Sequence, residues 1–199
     1  MLIDFKDLSK SQIYFLMTQT LIPRPIAWVL SEHKNGTLNL APFSYFNGVS
    51  SEPPLLMISA GRKRNGSKKD TWSNIEERKN FVVHIPSKAD VESITQSAAP
   101  FEEGISEIET LGLNTIEFEG SPLPHLSSSK IAFSCTLYQI IELGQKSQAL
   151  ILGQIRSAYI DQTCMHIDGK KITIDSKEID PLARLGGTLF CGIDTPFET

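Results

Sequence analysis

The densest run of chemistry-bearing side chains lies in the string GRKRNGSKKD, residues 61–70. Arg62, Lys63, Arg64, Lys68 and Lys69 gather there, in a chain whose net charge is -4. The residues that follow, TWSNIEERK, have the make-up of a short helix, with Asp70 or Thr71 as its cap. A helix N-terminus presents unpaired N–H groups and a partial positive charge. Lysines, Ser67 and Thr71 beside it would complete an anion site. Read without its neighbours, the same string is a solvated charged loop. It is not a nucleoside-triphosphate loop, because Ser67 and not lysine follows the second glycine.

A second string, NLAPFS at 39–44, breaks small and polar residues into an apolar run. Asn39 and Ser44 can hydrogen-bond the polar edge of a planar ligand, and Ala41 permits its close approach. The same residues also describe a kink at a barrel corner, where Pro42 ends a ladder. The chain shows no catalytic triad and no paired-carboxylate motif. Its four histidines (33, 84, 125 and 166) have no metal-ligand spacing. Each histidine reads first as a packing or surface residue, with His84 and His125 as candidates to reach a site. Trp28 and Trp72 read first as core residues and second as stacking platforms.

These groups need elements to position them. Segment 9–20 reads as a helix capped by Ser9, with Ile13, Leu16 and Met17 on one face. Pro23 and Pro25 then impose extended backbone. PIAWVLS and the segment from Thr37 form a hairpin about Asn35-Gly36, a pair suited to positive φ. PPLLMISA (53–60), NFVVHIPS, KIAFSCTLYQIIELG and QALILGQIRSAYI read as further strands, with Gly144 between the last two. HIDGKKITID supplies two short strands about Asp168-Gly169, and the polar middle holds helices near 88–97 and 104–111. Strands in hairpin series with few long helices predict a mainly β fold: a closed antiparallel barrel with helical decorations.

Bulk properties narrow the function classes. The chain has 199 residues, 40% of them hydrophobic and 21% charged, which fits one globular domain over 1–199. The acidic balance excludes nucleic acid as the main partner, and the basic loop lacks the interleaved aromatics of a single-strand binder. No apolar run reaches the roughly 18 residues needed to span a membrane, and MLIDFKDLSK has no signal-peptide layout. Cys135, Cys164 and Cys191 are odd in number and widely spaced, so reduced thiols and a cytoplasmic setting are expected.

The order of the strings adds a further reading. RPIAWVLS, NLAPFS, a PP before a strand, KDTWSNI and FVVHIPS follow one another over residues 23–87. This series closely resembles the flavin reductase-like family of FMN-binding split barrels, flavoredoxin-type proteins included. RLGG at 184–187 resembles that family's C-terminal element. His84 stands where the family usually has Asn and Ser134 where a Glu is common, and 88–120 matches only loosely, as a helical insertion in a barrel that begins near 23.

The resemblance implies a split barrel, a homodimer with FMN at or near the subunit interface, and NAD(P)H as electron donor. It implies backbone of Trp28, Val29 and Leu30 beside the flavin ring, with Ser31 near the strand's end. Asn39, Leu40, Ala41 and Ser44 would hold the ring and ribityl region. Ser59, Arg62, Lys68, Lys69 and Thr71, and then Asn74, would serve the phosphate, with His84 and Arg184 on the substrate side. The implied chemistry is hydride transfer to flavin N(5) and electron delivery to free flavin or another acceptor, with the reactivity carried by the cofactor. A non-catalytic FMN-binding carrier or sensing module on the same fold is the alternative.

Overall fold

The computed structural model describes residues 2–145 and 147–197. At its centre is a seven-stranded sheet of β1 (Ala27–Glu32), β2 (Leu38–Phe43), β3 (Phe46–Ser51), β4 (Pro54–Gly61), β5 (Asn80–His84), β6 (Ile131–Leu143) and β7 (Gln148–Ile160). The order is β2-β1-β5-β6-β7-β4-β3, antiparallel at every pairing. The two end strands, β2 and β3, are consecutive in the chain and joined only by Ser44 and Tyr45. Such a short link forces the sheet to curl until its ends approach. No ladder joins β2 to β3 among the described residues, so the barrel is split at this seam. The corner is pinned from one side, where the Ser59 N–H of β4 donates to the Tyr45 carbonyl at 2.9 Å.

Strand β1 reads as an unbroken apolar run because both its faces are covered. Ala27 and Val29 enter the barrel core with Ile58, Phe81 and Ile151, which helix α2 (Asp70–Arg78) caps with Trp72 and Ile75. Trp28 and Leu30 face outward into a second core with Leu126, Ile94 and Ile108. Those last two come from α3 (Val91–Ser97) and α4 (Glu107–Thr110), the middle segment folded over the sheet. Each fully buried side chain of this size contributes roughly 1.5–3 kcal/mol. Gly153 on β7 lets the two sides of the barrel approach, since a Cβ there would lie 2.3 Å from the Phe81 ring.

Ser9 caps α1 (Lys10–Thr20) as expected, and Gln12 completes a capping box with it. Ile13, Leu16 and Met17 are only half-buried, while Tyr14 and Phe15 are 58% and 55% exposed. The Asn35-Gly36 turn is present, but the pair does not share positive φ as expected. Only Gly36 has positive φ (+87°), and Asn35 instead uses its Oδ1 to accept from the Thr37 N–H at 3.1 Å. Strand β3 escapes the sequence reading because it is an edge strand exposed along most of its length, without alternation. The cap expected at Asp70 or Thr71 falls instead on Lys69, and no side chain hydrogen-bonds the start of α2. Asp70 is taken by Lys63 Nζ at 2.6 Å, and Thr71 Oγ1 accepts from Asn39.

Candidate functional site

The end of β1, the start of β2 and the first turns of α2 are joined by a buried polar network. Asn39 Nδ2 donates to Ser31 Oγ at 3.1 Å and to Thr71 Oγ1 at 3.0 Å. Asn74 Nδ2 donates to the same Ser31 oxygen at 3.2 Å and lies 3.4 Å from His33 Nδ1. All five residues are buried, and burial lowers the His33 pKa, so the network is held by neutral hydrogen bonds. Asn39 commits its amide hydrogens here, which leaves Oδ1 as its acceptor. Asn39, Ala41 and Thr71 line a cavity of about 600 Å³.

The basic string is a folded hairpin. Lys63 N–H donates to Ser67 O, Gly66 N–H to Lys63 O, and Arg62 bridges to Lys68. Its cations then part company. Lys68 Nζ lies 2.5 Å from Glu76 Oε2 and 5.0 Å from the centre of the Trp72 ring. Lys69 lines the cavity and a neighbouring one of about 300 Å³, with its Nζ 5.5 Å from the centre of the Phe43 ring. Burial lowers the Lys69 pKa, and among the described residues no carboxylate pairs with it. Arg62 lines both cavities as well, stacked at 5.0 Å over Trp72 and 3.7 Å from Glu142. Ser44 and Ser59 line the smaller cavity, where Ser59 Oγ accepts from Gln148 Nε2 at 2.9 Å. Ser67 is bonded to Asn65 and lies outside both.

Other expected residues stand behind the wall. Trp28, Val29 and Leu30 line none of the three described cavities. Their side chains are buried, and β1 is paired on both sides, with β2 and with β5. The expectation that they offer backbone to a ligand is corrected: they position β2, and β2 forms the wall. Leu40 likewise packs into the outer core. His84 is 0% exposed. Its Nδ1 lies 2.9 Å from the Trp28 carbonyl, and its Nε2 accepts from the Leu126 N–H at 3.1 Å. A substrate-side role for His84 is therefore excluded by its packing. Burial drops its pKa to about 4. Arg184 lines a third cavity of about 350 Å³, apart from the basic string.

Glu107 is the residue the sequence did not single out. Its Oε2 accepts from the Leu40 N–H at 2.8 Å, and Ser106 Oγ donates to Leu38 O at 2.7 Å, so α4 covers the open edge of β2. Glu107 also lines the main cavity, and burial raises its pKa. Only its place at a predicted short helix marked it, within the segment least like any recognised pattern. The main cavity thus has a cationic end at Lys69 and Arg62, a polar floor at Asn39 and Thr71, and small or apolar walls from Ala41, Pro42 and Phe101. Its volume falls in the roughly 300–1,000 Å³ range of small-molecule sites.

Comparison with known proteins gives this arrangement a family. The flavin reductase like domain matches residues 18–171. Nitrilotriacetate monooxygenase component B from Bacillus cereus is 34% identical, covering all of this chain and 98% of its own, with a TM-score of 0.92. The 2-nitrobenzoate 2-nitroreductase NbaA from Pseudomonas fluorescens is 31% identical over all of this chain and 95% of its own, with a TM-score of 0.89. The flavoredoxin of Desulfovibrio vulgaris (Miyazaki F) shares the fold, at 21% identity and a TM-score of 0.76 over 89% of this chain and 91% of its own. The chain belongs to the flavin reductase-like family and has its split-barrel fold.

Proposed function

We propose that this chain is an FMN-dependent oxidoreductase that accepts hydride from NAD(P)H and passes electrons to free flavin or another small acceptor. The observation that carries the reading is the joining of Lys69, the uncapped start of α2 and the Asn39–Thr71 floor in one cavity. A dianionic phosphate needs positive charge and N–H donors; Lys69, Arg62 and the first turn of α2 supply both, with Ser59 adjacent. An uncharged ring needs close walls and a few placed polar atoms. Ala41 and Pro42 give the wall, and Asn39 Oδ1 is an acceptor for a ring N–H. FMN, once bound, supplies the hydride chemistry. The chain's part is then to bind, to orient the donor and to limit water. This division is consistent with relatives whose names include a nitroreductase and a monooxygenase component.

A homodimer is part of the proposal, supported by exposed Tyr14, Phe15, Leu21 and Ile22 on and just after α1. Light scattering that returns a monomer at micromolar concentration would remove it. The cofactor reading is tested by calorimetric titration with FMN and with riboflavin, which lacks the phosphate. FMN is expected to bind at least roughly tenfold more tightly, the value of one charge-assisted contact. Equal affinities would reject the phosphate end.

A further inference from the structure

The third cavity, of about 350 Å³, shares Pro42 and Ala98 with the main one and has Arg24 and Arg184 in its wall. These two arginines stand directly opposite each other in the ladder between Arg24–Pro25 and Ala183–Arg184. Opposed residues in a ladder project to the same face, so like charges there repel. Among the described residues no carboxylate forms an ion pair with either, and the cavity wall contains no Asp or Glu. Arg24 is only 8% exposed. Its guanidinium is fixed by the carbonyls of Thr18, Leu21 and Leu185, and its Nε has no partner. Its charge is therefore immobile and offset by carbonyl dipoles and the Tyr45 ring, whose centre lies 5.9 Å away, with no carboxylate pairing with it among the described residues. Arg184 donates to Gly187 O and stacks 4.3 Å over the Phe190 ring.

We propose that this cavity is a second ligand site, one that takes a small aromatic carboxylate. The anionic group lies against Arg184 in the field of Arg24, and the ring packs on Phe190, Ile26 and Ile94. Two unneutralised guanidiniums on one face select an anion, and the fork of Arg184 matches a carboxylate. The apolar remainder of the wall selects an organic body over an inorganic ion. The volume, at the small end of the range for ligand sites, suits a substituted single ring. Because the cavity adjoins the one assigned to FMN across Pro42, its occupant is placed as the electron acceptor. That role rests on the flavin reading, whereas the binding does not.

The test titrates the purified chain, with and without FMN, with benzoate, benzamide and inorganic phosphate. Benzoate is expected to bind roughly tenfold or more tightly than neutral benzamide or phosphate, and to weaken as sodium chloride rises. Arg184→Gln, checked by near-ultraviolet circular dichroism, is expected to lose that preference, with Arg184→Lys falling between. Benzoate binding no better than benzamide, or without salt dependence, would overturn the site on wild-type protein alone. Phosphate binding as well as benzoate would overturn the aromatic class. Benzoate binding by a chain that fails to take up FMN would support the site and remove the flavin reading instead.

Discussion

Lys68 and Lys69 are neighbours in the chain and serve opposite sides of the α2 start. Lys68 pairs with Glu76 at 2.5 Å, while Lys69 lines the main cavity with no acidic partner among the described residues. Extended backbone at Lys69 (φ -63°, ψ 151°) accounts for the divergence, since successive side chains then point apart. Lys69→Ala is expected to weaken FMN binding roughly ten- to hundredfold, the loss of about 1.5–3 kcal/mol for a hydrogen bond to a charged group. Lys68→Ala should leave the affinity within a factor of about three, as for a residue in a partly exposed ion pair. Isothermal titration of both variants checks this; a larger loss for Lys68→Ala would reverse the assignment.

His84 predicts a pH dependence of stability. Its folded pKa of about 4 lies below the ordinary 6.5, so the unfolded chain binds more protons between those values. Its contribution is complete above pH 6.5 and is lost as pH falls toward 4, a change of up to about 3 kcal/mol. Burial lowers the pKa of His33 and His125 as well, which acts in the same direction. His84→Gln, which can still donate to Trp28 O and accept from Leu126 N–H, should flatten the decline in urea midpoint over this range. An identical slope in the variant would contradict the buried neutral imidazole.

Glu107 gives the opposite sign. Burial raises its pKa, so its stabilising contribution is present below pH 4.5 and is lost as pH rises through the folded value. Glu107→Gln keeps an acceptor for the Leu40 N–H without the buried charge. Its stability relative to the wild-type chain should therefore rise as pH increases from 4.5 toward 7. Denaturant midpoints at a series of pH values measure this, and a gap constant with pH would count against it.

Gly153 is expected to tolerate no side chain. A Cβ there would meet the Phe81 ring at 2.3 Å, and Phe81 is held in the barrel core. Gly153→Ala should cost about 1–3 kcal/mol through overpacking. Combining it with Phe81→Leu should recover part of that loss, whereas full additivity would deny the contact.

Much of this architecture was legible in the chain, for identifiable reasons. The α1 cap was announced by Ser9, and the long β6–β7 hairpin by two apolar runs about Gly144. NLAPFS looked like either a barrel corner or a ligand edge: Ser44 does belong to the corner link, but the ladder runs through Pro42 to Phe43 and does not end at Pro42, while Asn39 and Ala41 line the main cavity. The α2 cap was misplaced because Asp70 and Thr71 have the right chemistry but are engaged elsewhere, by Lys63 and Asn39. Trp28–Leu30 were assigned to the cavity wall because sequence cannot tell a strand lining a site from the one behind it; pairing on both sides decides it. Glu107 was missed because its role depends on α4 docking along the edge of β2, a long-range contact with no local signal.

The central claim, that the chain is an FMN-dependent oxidoreductase, is tested most directly by anaerobic addition of NADH or NADPH to the FMN-loaded protein. The flavin absorption at about 450 nm is followed. Bleaching is expected with at least one nicotinamide, faster than for free FMN and slowed by Lys69→Ala in proportion to lost occupancy. Bound FMN that stays oxidised with both donors would contradict it and leave a carrier or sensing module in its place.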